Sequence, residues 1–275
     1  YRVAIAVGTA GAFLIAEYGS WSISYKAMSL CMLVGIGTTL YCNEPEDKRY
    51  DRKLIQGKRE QFKQWILLAV VNPFTDFFKR YGSQAIILLL FISFFRVSDY
   101  VLGILASPFY LDIGFSKTQI AGVAKFYGLW VSLIGTAFGA TAILKFGVSK
   151  CIVVATILIA STNLFFALMA YTGPYMSLLT ITISADNFTM GFAGTVFIAY
   201  LSSLTNLSFT ATQYALFTSV STFLGKFAAG FSGNIQESIG WVGFFLYAAL
   251  MGVPAIILSL FVAKKIQTVE AHQKR

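Results

Sequence analysis

Eight long apolar runs, separated by short polar turns and one long basic stretch, dictate what this chain can become. They are Arg2 to Ala16, Trp21 to Tyr41, Gln84 to Tyr110, Ile120 to Leu144, Ser149 to Tyr171, Met176 to Leu204, Thr212 to Gln236 and Ile239 to Ala263. About 20 apolar residues cross the hydrocarbon of a bilayer as an α-helix. Every run but the first reaches that length, and the first reads as a helix entered partway along. Composition agrees, since 57% hydrophobic and 12% charged residues leave too little polar surface to coat a water-soluble globule. The expected fold class is all-α, a polytopic membrane protein with eight transmembrane helices.

The one long hydrophilic stretch, Cys42 to Ser83, holds nine of the 21 Lys and Arg residues. Basic residues near helix ends resist translocation, which predicts that this loop is cytoplasmic. Eight crossings then put both termini on the same side, and 16 of the 21 basic residues fall there, with Lys117 alone in an outer turn. The net charge of +9 is thereby read as topogenic, and no nucleic-acid partner is expected. At the end of the loop, Trp65 to Val71 is apolar and Phe74, Phe77 and Phe78 are interleaved with Asp76, Lys79 and Arg80. This predicts a short amphipathic segment at the lipid surface, broken at Pro73. Cys31, Cys42 and Cys151 have no ligand or redox spacing and His272 lies in the polar tail, so no metal or cofactor is expected.

An internal repeat adds a plan of two halves. Ile15, Glu17 and Trp21 recur as Ile235, Glu237 and Trp241, displaced by 220 residues, in hairpins that both run outward and back. Same-sense repeats joined by a central loop mark transporters built of two parallel halves. The pattern predicts residues 1–41 as the last two helices of an N-terminal half, 42–83 as the cytoplasmic loop between halves, 84–263 as a six-helix C-terminal half and 264–275 as a cytoplasmic tail. A complete protein of this plan carries four more helices ahead of Tyr1.

Chemistry is expected where polarity enters the membrane. The third run carries Ser93, Arg96, Asp99, Tyr100, Gly103 and Ser107 at helical spacing, and Arg96 lies about 18 Å along from Gln84 at 1.5 Å per residue, near the bilayer centre. A charge there costs roughly 3 kcal/mol or more and usually faces a bundle interior or a wet cavity. A static Arg96–Asp99 pair at i, i+3 is the plainer reading. The fourth run shows Lys125, Gly128, Ser132, Gly135 and Gly139, small residues that also serve close helix packing. The sixth carries Ser184, Asp186, Asn187, Gly191 and Gly194; Asp186 reads equally as a hydrogen-bonded packing residue. The seventh carries Ser219, Thr222, Lys226, Gly230 and Gly233, with Lys226 too deep to snorkel easily. Together these faces predict a central polar cavity in which Arg96, Lys125 and Lys226 attract an anionic solute while Asp99 and Asp186 take up protons.

The chain also resembles the AmpG-like muropeptide permeases of the major facilitator superfamily. The likeness begins at Ala16-Glu17-Tyr18-Gly19 and Trp21 and continues through Asn72-Pro73-Phe74 and Phe77-Phe78-Lys79-Arg80. It is densest from Pro108 to Ile120, with Lys125 beyond. Later come Asp186-Asn187-Phe188, Gly191, Tyr200-Leu201, the run Phe209 to Leu216, Gly240-Trp241 and Phe244-Phe245. The superfamily's loop signature survives in part as Lys145, Gly147 and Lys150, with Leu144 where the signature has an acid.

The resemblance implies a major-facilitator-type bundle in the bacterial inner membrane, a proton symporter that imports anhydro-muramyl peptides for peptidoglycan recycling, acting as a monomer. It adds Gln213, in the Phe209 to Leu216 motif, to a substrate-binding set of Arg96, Tyr100, Lys125, Asn187 and Lys226, with Asp99 and Asp186 as proton carriers. Another bulky anion, such as a coenzyme A thioester, stays open as the solute, as does a remnant that inserts without transporting. An enzyme is not expected, because the runs hold no His and no cluster of Cys from which to build a catalytic constellation.

Overall fold

The computed structural model describes residues 12, 15, 19–42, 67, 71–206 and 209–273, the side chains of residues 117, 121, 125 and 265–273 excepted. Nearly all of the first apolar run, Glu17, most of the polar loop and the side chain of Lys125 therefore lie outside the described residues. The chain divides into two compact units, residues 1–62 and 63–275, with the boundary inside the polar stretch. Five helical stretches among the described residues are long and apolar enough to cross a membrane: Trp21–Tyr41, Gln84–Asp112, Thr118–Thr172, Met176–Leu204 and Ser232–Lys264.

In the first unit, helix α1 (Trp21–Tyr41) starts at Ser20, whose hydroxyl accepts a hydrogen bond from the Ile23 amide at 3.3 Å. This satisfies one of the amides that every helix start leaves without a carbonyl. Ser24 anchors the helix further by donating to the Ala12 carbonyl at 2.6 Å.

The second unit begins with the short amphipathic helix α2 (Asn72–Tyr81), which buries Pro73 and Phe77. Pro73 does not break the segment. It stands in the first turn, where its missing N–H has no partner to lose, and so starts the helix instead. After Gly82 come α3 (Gln84–Phe94) and α4 (Val97–Asp112), then the four-residue α5 (Lys117–Ile120) and a π-helical segment, Ala121–Tyr127. Ser116 and Gln119 cap α5 reciprocally: the Ser116 amide donates to Gln119 Oε1 at 2.9 Å, and the Gln119 amide to Ser116 Oγ at 3.2 Å.

Helices α6 (Gly128–Thr172), α7 (Met176–Leu204), α8 (Thr210–Ala229), α9 (Ser232–Met251) and α10 (Val253–Gln273) complete the unit. α6 is two arms joined at Gly147, whose φ of 79° and ψ of 161° reverse the chain between the fourth and fifth runs. Only glycine enters that region without strain from a Cβ. α9 is divided in the same way at Gly240, with φ at 71°.

Close packing of α6 on α7 uses the small residues of the fourth and sixth runs. A Cβ on Gly135 would collide with the Phe188 carbonyl, and one on Gly191 with the Ser132 carbonyl, so the two backbones touch at their crossing. The small-residue stripe of the fourth run is accordingly a packing face.

Two apolar cores fill the second unit, one around Phe77, Phe91, Phe95, Phe197, Tyr200 and Phe217, the other around Val97, Val101, Phe109, Phe166, Phe244 and Phe245. Phe95 and Val97 belong to different cores, so the division between them falls at Arg96. In the first core, the rings of Phe95 and Phe197 stack at 4.3 Å between centroids. At the far end of the second, Trp241 Nε1 donates to Asp112 Oδ2 at 3.1 Å and packs on Phe109. Several of the residues that carry the family resemblance thus meet in one aromatic cluster.

Candidate functional site

The third apolar run folds as two helices where the sequence predicts one. The chain leaves helical geometry at Arg96, which takes φ −116° and ψ 10° immediately ahead of α4. A restart leaves the amides of the new first turn without intrahelical carbonyls, and Asp99 sits in that turn. A carboxylate there gains from the positive end of the helix dipole. In lipid, such a break is tolerated where it is buried in protein or lines a cavity; here Phe95 and Val97 are buried and Asp99, in the next turn, lines a cavity.

Arg96 Nε donates to Asp99 Oδ2 at 3.2 Å, and its guanidinium carbon lies 5.9 Å from the centre of the Tyr100 ring. The two charged side chains keep 29% and 17% of their surface exposed. α8 passes directly against this group, since a Cβ on Gly225 would collide with the Tyr100 ring. That approach puts the neighbouring Lys226 on a cavity of about 390 Å³ shared with Asp99, Tyr100, Gly103 and Gly230. A second cavity of about 200 Å³ shares the Asp99 and Gly103 wall and reaches Ser107, Tyr110, Asn163, Asp186 and Asn187. The two form lobes around one stretch of α4, with Lys226 on the first and Asp186 on the second.

The structure therefore brings together Asp99, Tyr100, Lys226, Asp186 and Asn187, with Arg96 bonded to Asp99. Asn187 is held against α6, where a Cβ on Gly128 would fall 2.9 Å from its amide nitrogen. Of Lys125, only the backbone is described, in the π-helical segment beside Ala124, which lines the second lobe. Ser93 and Ser219 face a separate, mostly apolar groove between α3 and α8.

Gln213 lies apart from both lobes, fully buried under α2. Its Nε2 donates to the Pro73 carbonyl at 2.9 Å and to Asp76 Oδ2 at 3.0 Å. Its Oε1 accepts from Arg80 Nη2 at 3.1 Å and from the Asn206 amide at 2.8 Å. Asp76 also pairs with Arg80 at 2.9 Å and accepts from Asn206 Nδ2 at 3.1 Å. Burial pushes the Asp76 carboxyl up, but the hydrogen bonds from Gln213 and Asn206 and the Arg80 guanidinium outweigh it and hold the group below its ordinary value. Gln213 is thus the centre of a latch that fastens α2 to the ends of α7 and α8.

Two residues that the polar stripes pass over, Asn163 and Ser98, are integral to the site. Asn163 Nδ2 donates to Ser98 Oγ at 2.9 Å, and Ser98 donates to the Ala248 carbonyl at 2.7 Å. The available signal was a carboxamide in the middle of a mostly apolar run, a rare residue at that depth.

The fold and cavity define an all-α, multi-pass membrane protein with charged groups on an internal wall. No protein-family model matches the chain. Over 268 residues, 97% of this chain, it is 31% identical to a Rickettsia felis protein named "Putative transporter AmpG 4", of which it covers 63%. It is 26% identical over 276 residues to "Putative transporter AmpG 3" of Rickettsia typhi, covering 64% of it, and 30% identical over 274 residues to an uncharacterized protein of Haemophilus influenzae, covering 62%. The chain is similar to proteins named putative transporter AmpG along nearly its whole length, and it spans a little under two thirds of the length of these curated relatives.

Proposed function

We propose that this chain is the greater part of a secondary active transporter that carries anhydro-muramyl peptides into the cell with protons across the bacterial inner membrane. The observation that carries the reading is the break in the third span, just after which Asp99 stands on the wall shared by two cavity lobes while bonded to the partly buried Arg96. Broken helices at a polar cavity are the recurrent solution for binding ions and charged solutes within a membrane. The names of the relatives favour transport over catalysis.

Arg96 and Lys226 supply positive charge for the carboxylates of a sugar–peptide. A solute carboxylate that takes up Arg96 removes the partner of Asp99, and the released carboxylate then accepts a proton. Solute binding and proton binding are coupled through this exchange of partners. Asp186, across the second lobe, is the second proton carrier.

Uptake measurements on the full-length transporter test the reading. Asp99→Asn abolishes accumulation against a gradient while leaving solute exchange measurable, and Arg96→Ala weakens solute binding itself. Accumulation by Asp99→Asn with an unchanged pH profile would remove the coupling role from this residue.

A further inference from the structure

The smaller lobe presents an unusual chemistry: two carboxylates and two carboxamides line it, and one carboxamide keeps a buried oxygen without a partner among the described residues. Both hydrogens of Asn163 Nδ2 are used, one by the Ile159 carbonyl at 2.9 Å and one by Ser98 Oγ at 2.9 Å. A backbone carbonyl can only accept, so it fixes which end of the carboxamide is nitrogen. Ser98 commits its own proton to Ala248 and has none for Asn163. The Asn163 side chain is 1% exposed, and its Oδ1 has no hydrogen-bond partner among the described residues.

Asn187 follows it in part on α7, where one Nδ2 hydrogen goes to the Ile183 carbonyl at 3.1 Å and the oxygen is left to accept. Asp186 makes no hydrogen bond or ion pair among the described residues. Asp99 engages Arg96 through Oδ2, which leaves Oδ1 free of that bond. Two carboxylates thus line the lobe with one guanidinium, bonded to Asp99, to balance them, and Asn163 adds an acceptor with no hydrogen left to donate. Such a wall repels an anion and suits a hard cation. A space of about 200 Å³ holds such an ion with a few waters. Lys226 stands on the other lobe, and Lys125 belongs to the π-helical segment beside this one.

We propose that the lobe between Asp99, Asp186, Asn163 and Asn187 is a monovalent-cation subsite, filled either by an alkali ion or by the ammonium group of a bound solute. It goes beyond the transport reading, on which it rests only for the second of these sources. Protons compete with the cation for the same carboxylates, so occupancy declines as the medium is acidified.

The test needs no transport. Full-length protein purified in detergent is titrated with NaCl and, separately, with methylammonium chloride, both against choline chloride at constant ionic strength, by calorimetry and by thermal unfolding. Saturable binding of sodium assigns the site to an alkali ion, and saturable binding of methylammonium assigns it to an ammonium group. In either case Asp186→Asn weakens binding by about tenfold or more, and Asp186→Glu recovers part of it. Should Asp186→Asn not fold, Asn187→Ala carries the same expectation with a smaller loss. Saturable binding of neither cation overturns the proposal, as does binding indifferent to these substitutions. Binding that appears only in Lys125→Gln also overturns it, by assigning the lobe to that lysine's own ammonium. Loss of uptake with cation binding intact would count against the transport reading alone.

Discussion

Gln213 shows how much one side chain can organise when all of its hydrogen-bonding capacity is used. Two donors and two acceptor positions are matched by Pro73, Asp76, Arg80 and Asn206, from two segments of chain far from each other in sequence. Net contributions of about 1 kcal/mol per bond predict that Gln213→Ala lowers stability by about 2–4 kcal/mol, readable as a lower unfolding temperature in detergent. Gln213→Glu is predicted to be worse, because it replaces a donor with a charge facing Asp76. Asp76 adds a pH signature. Its folded value lies below the ordinary 3.8, so its contribution is complete above that value and is lost as pH falls through the lower one. The stability difference between wild type and Asp76→Asn should therefore hold steady at neutral pH and shrink only on acidification below the ordinary carboxylate range. A difference that grew on acidification would contradict the assignment. Neither partner of this latch could be paired from the sequence, since Asp76 and Gln213 belong to motifs far apart along the chain. The Arg96–Asp99 pair, by contrast, was legible from its i, i+3 spacing.

At the scale of the helix, the crossing of α6 and α7 sets a narrow tolerance. Backbone meets backbone at Gly135 and Gly191, so the space cannot be regained by turning a flexible side chain. Gly191→Val is expected to destabilise by about 3 kcal/mol or more, above the usual range for overpacking, because α6 itself must move. Gly233→Ala, where a Cβ meets nothing within 4 Å, is the matched control and should stay within about 0.5 kcal/mol. Equal unfolding temperatures for the two variants would show that the crossing is looser than described. The sequence disclosed this face through small residues at helical spacing, and it disclosed α2 through its interleaved phenylalanines and charges. The interruption at Phe95–Arg96 was hidden, because Phe94-Phe95-Arg96-Val97 contains no glycine or proline to announce it. Asn163 was overlooked because it stands alone beside Ser161 and Thr162, with no polar stripe at helical spacing along the fifth run to draw attention to it.

For the molecule as a whole, the sequence orients the chain through charge. The excess of Lys and Arg in Cys42 to Ser83 leads us to expect this loop in the cytoplasm and the turn from Asp112 to Gln119 outside. Single cysteines at Lys53 and Lys117, introduced in a cysteine-free background, should differ in labelling by a membrane-impermeant thiol reagent in intact cells, with position 117 reactive and position 53 silent. Equal labelling would reverse the argument from charge. Within the second unit, the relay from Asn163 through Ser98 to the Ala248 carbonyl acts as a crossbar. It joins α6, α4 and α9 through buried polar bonds, which are hard to break one at a time where water cannot substitute. These three helices are therefore expected to tilt as one slab. The compliance that an alternating motion requires then falls at the joint just before α4, where the backbone is already out of helical register. Amide hydrogen exchange would register this as faster exchange at Arg96 and Val97 than at residues 160–166. The hinge and the charge would then occupy the same point on the chain, so that a solute drawing on Arg96 would be pulling on the fulcrum itself.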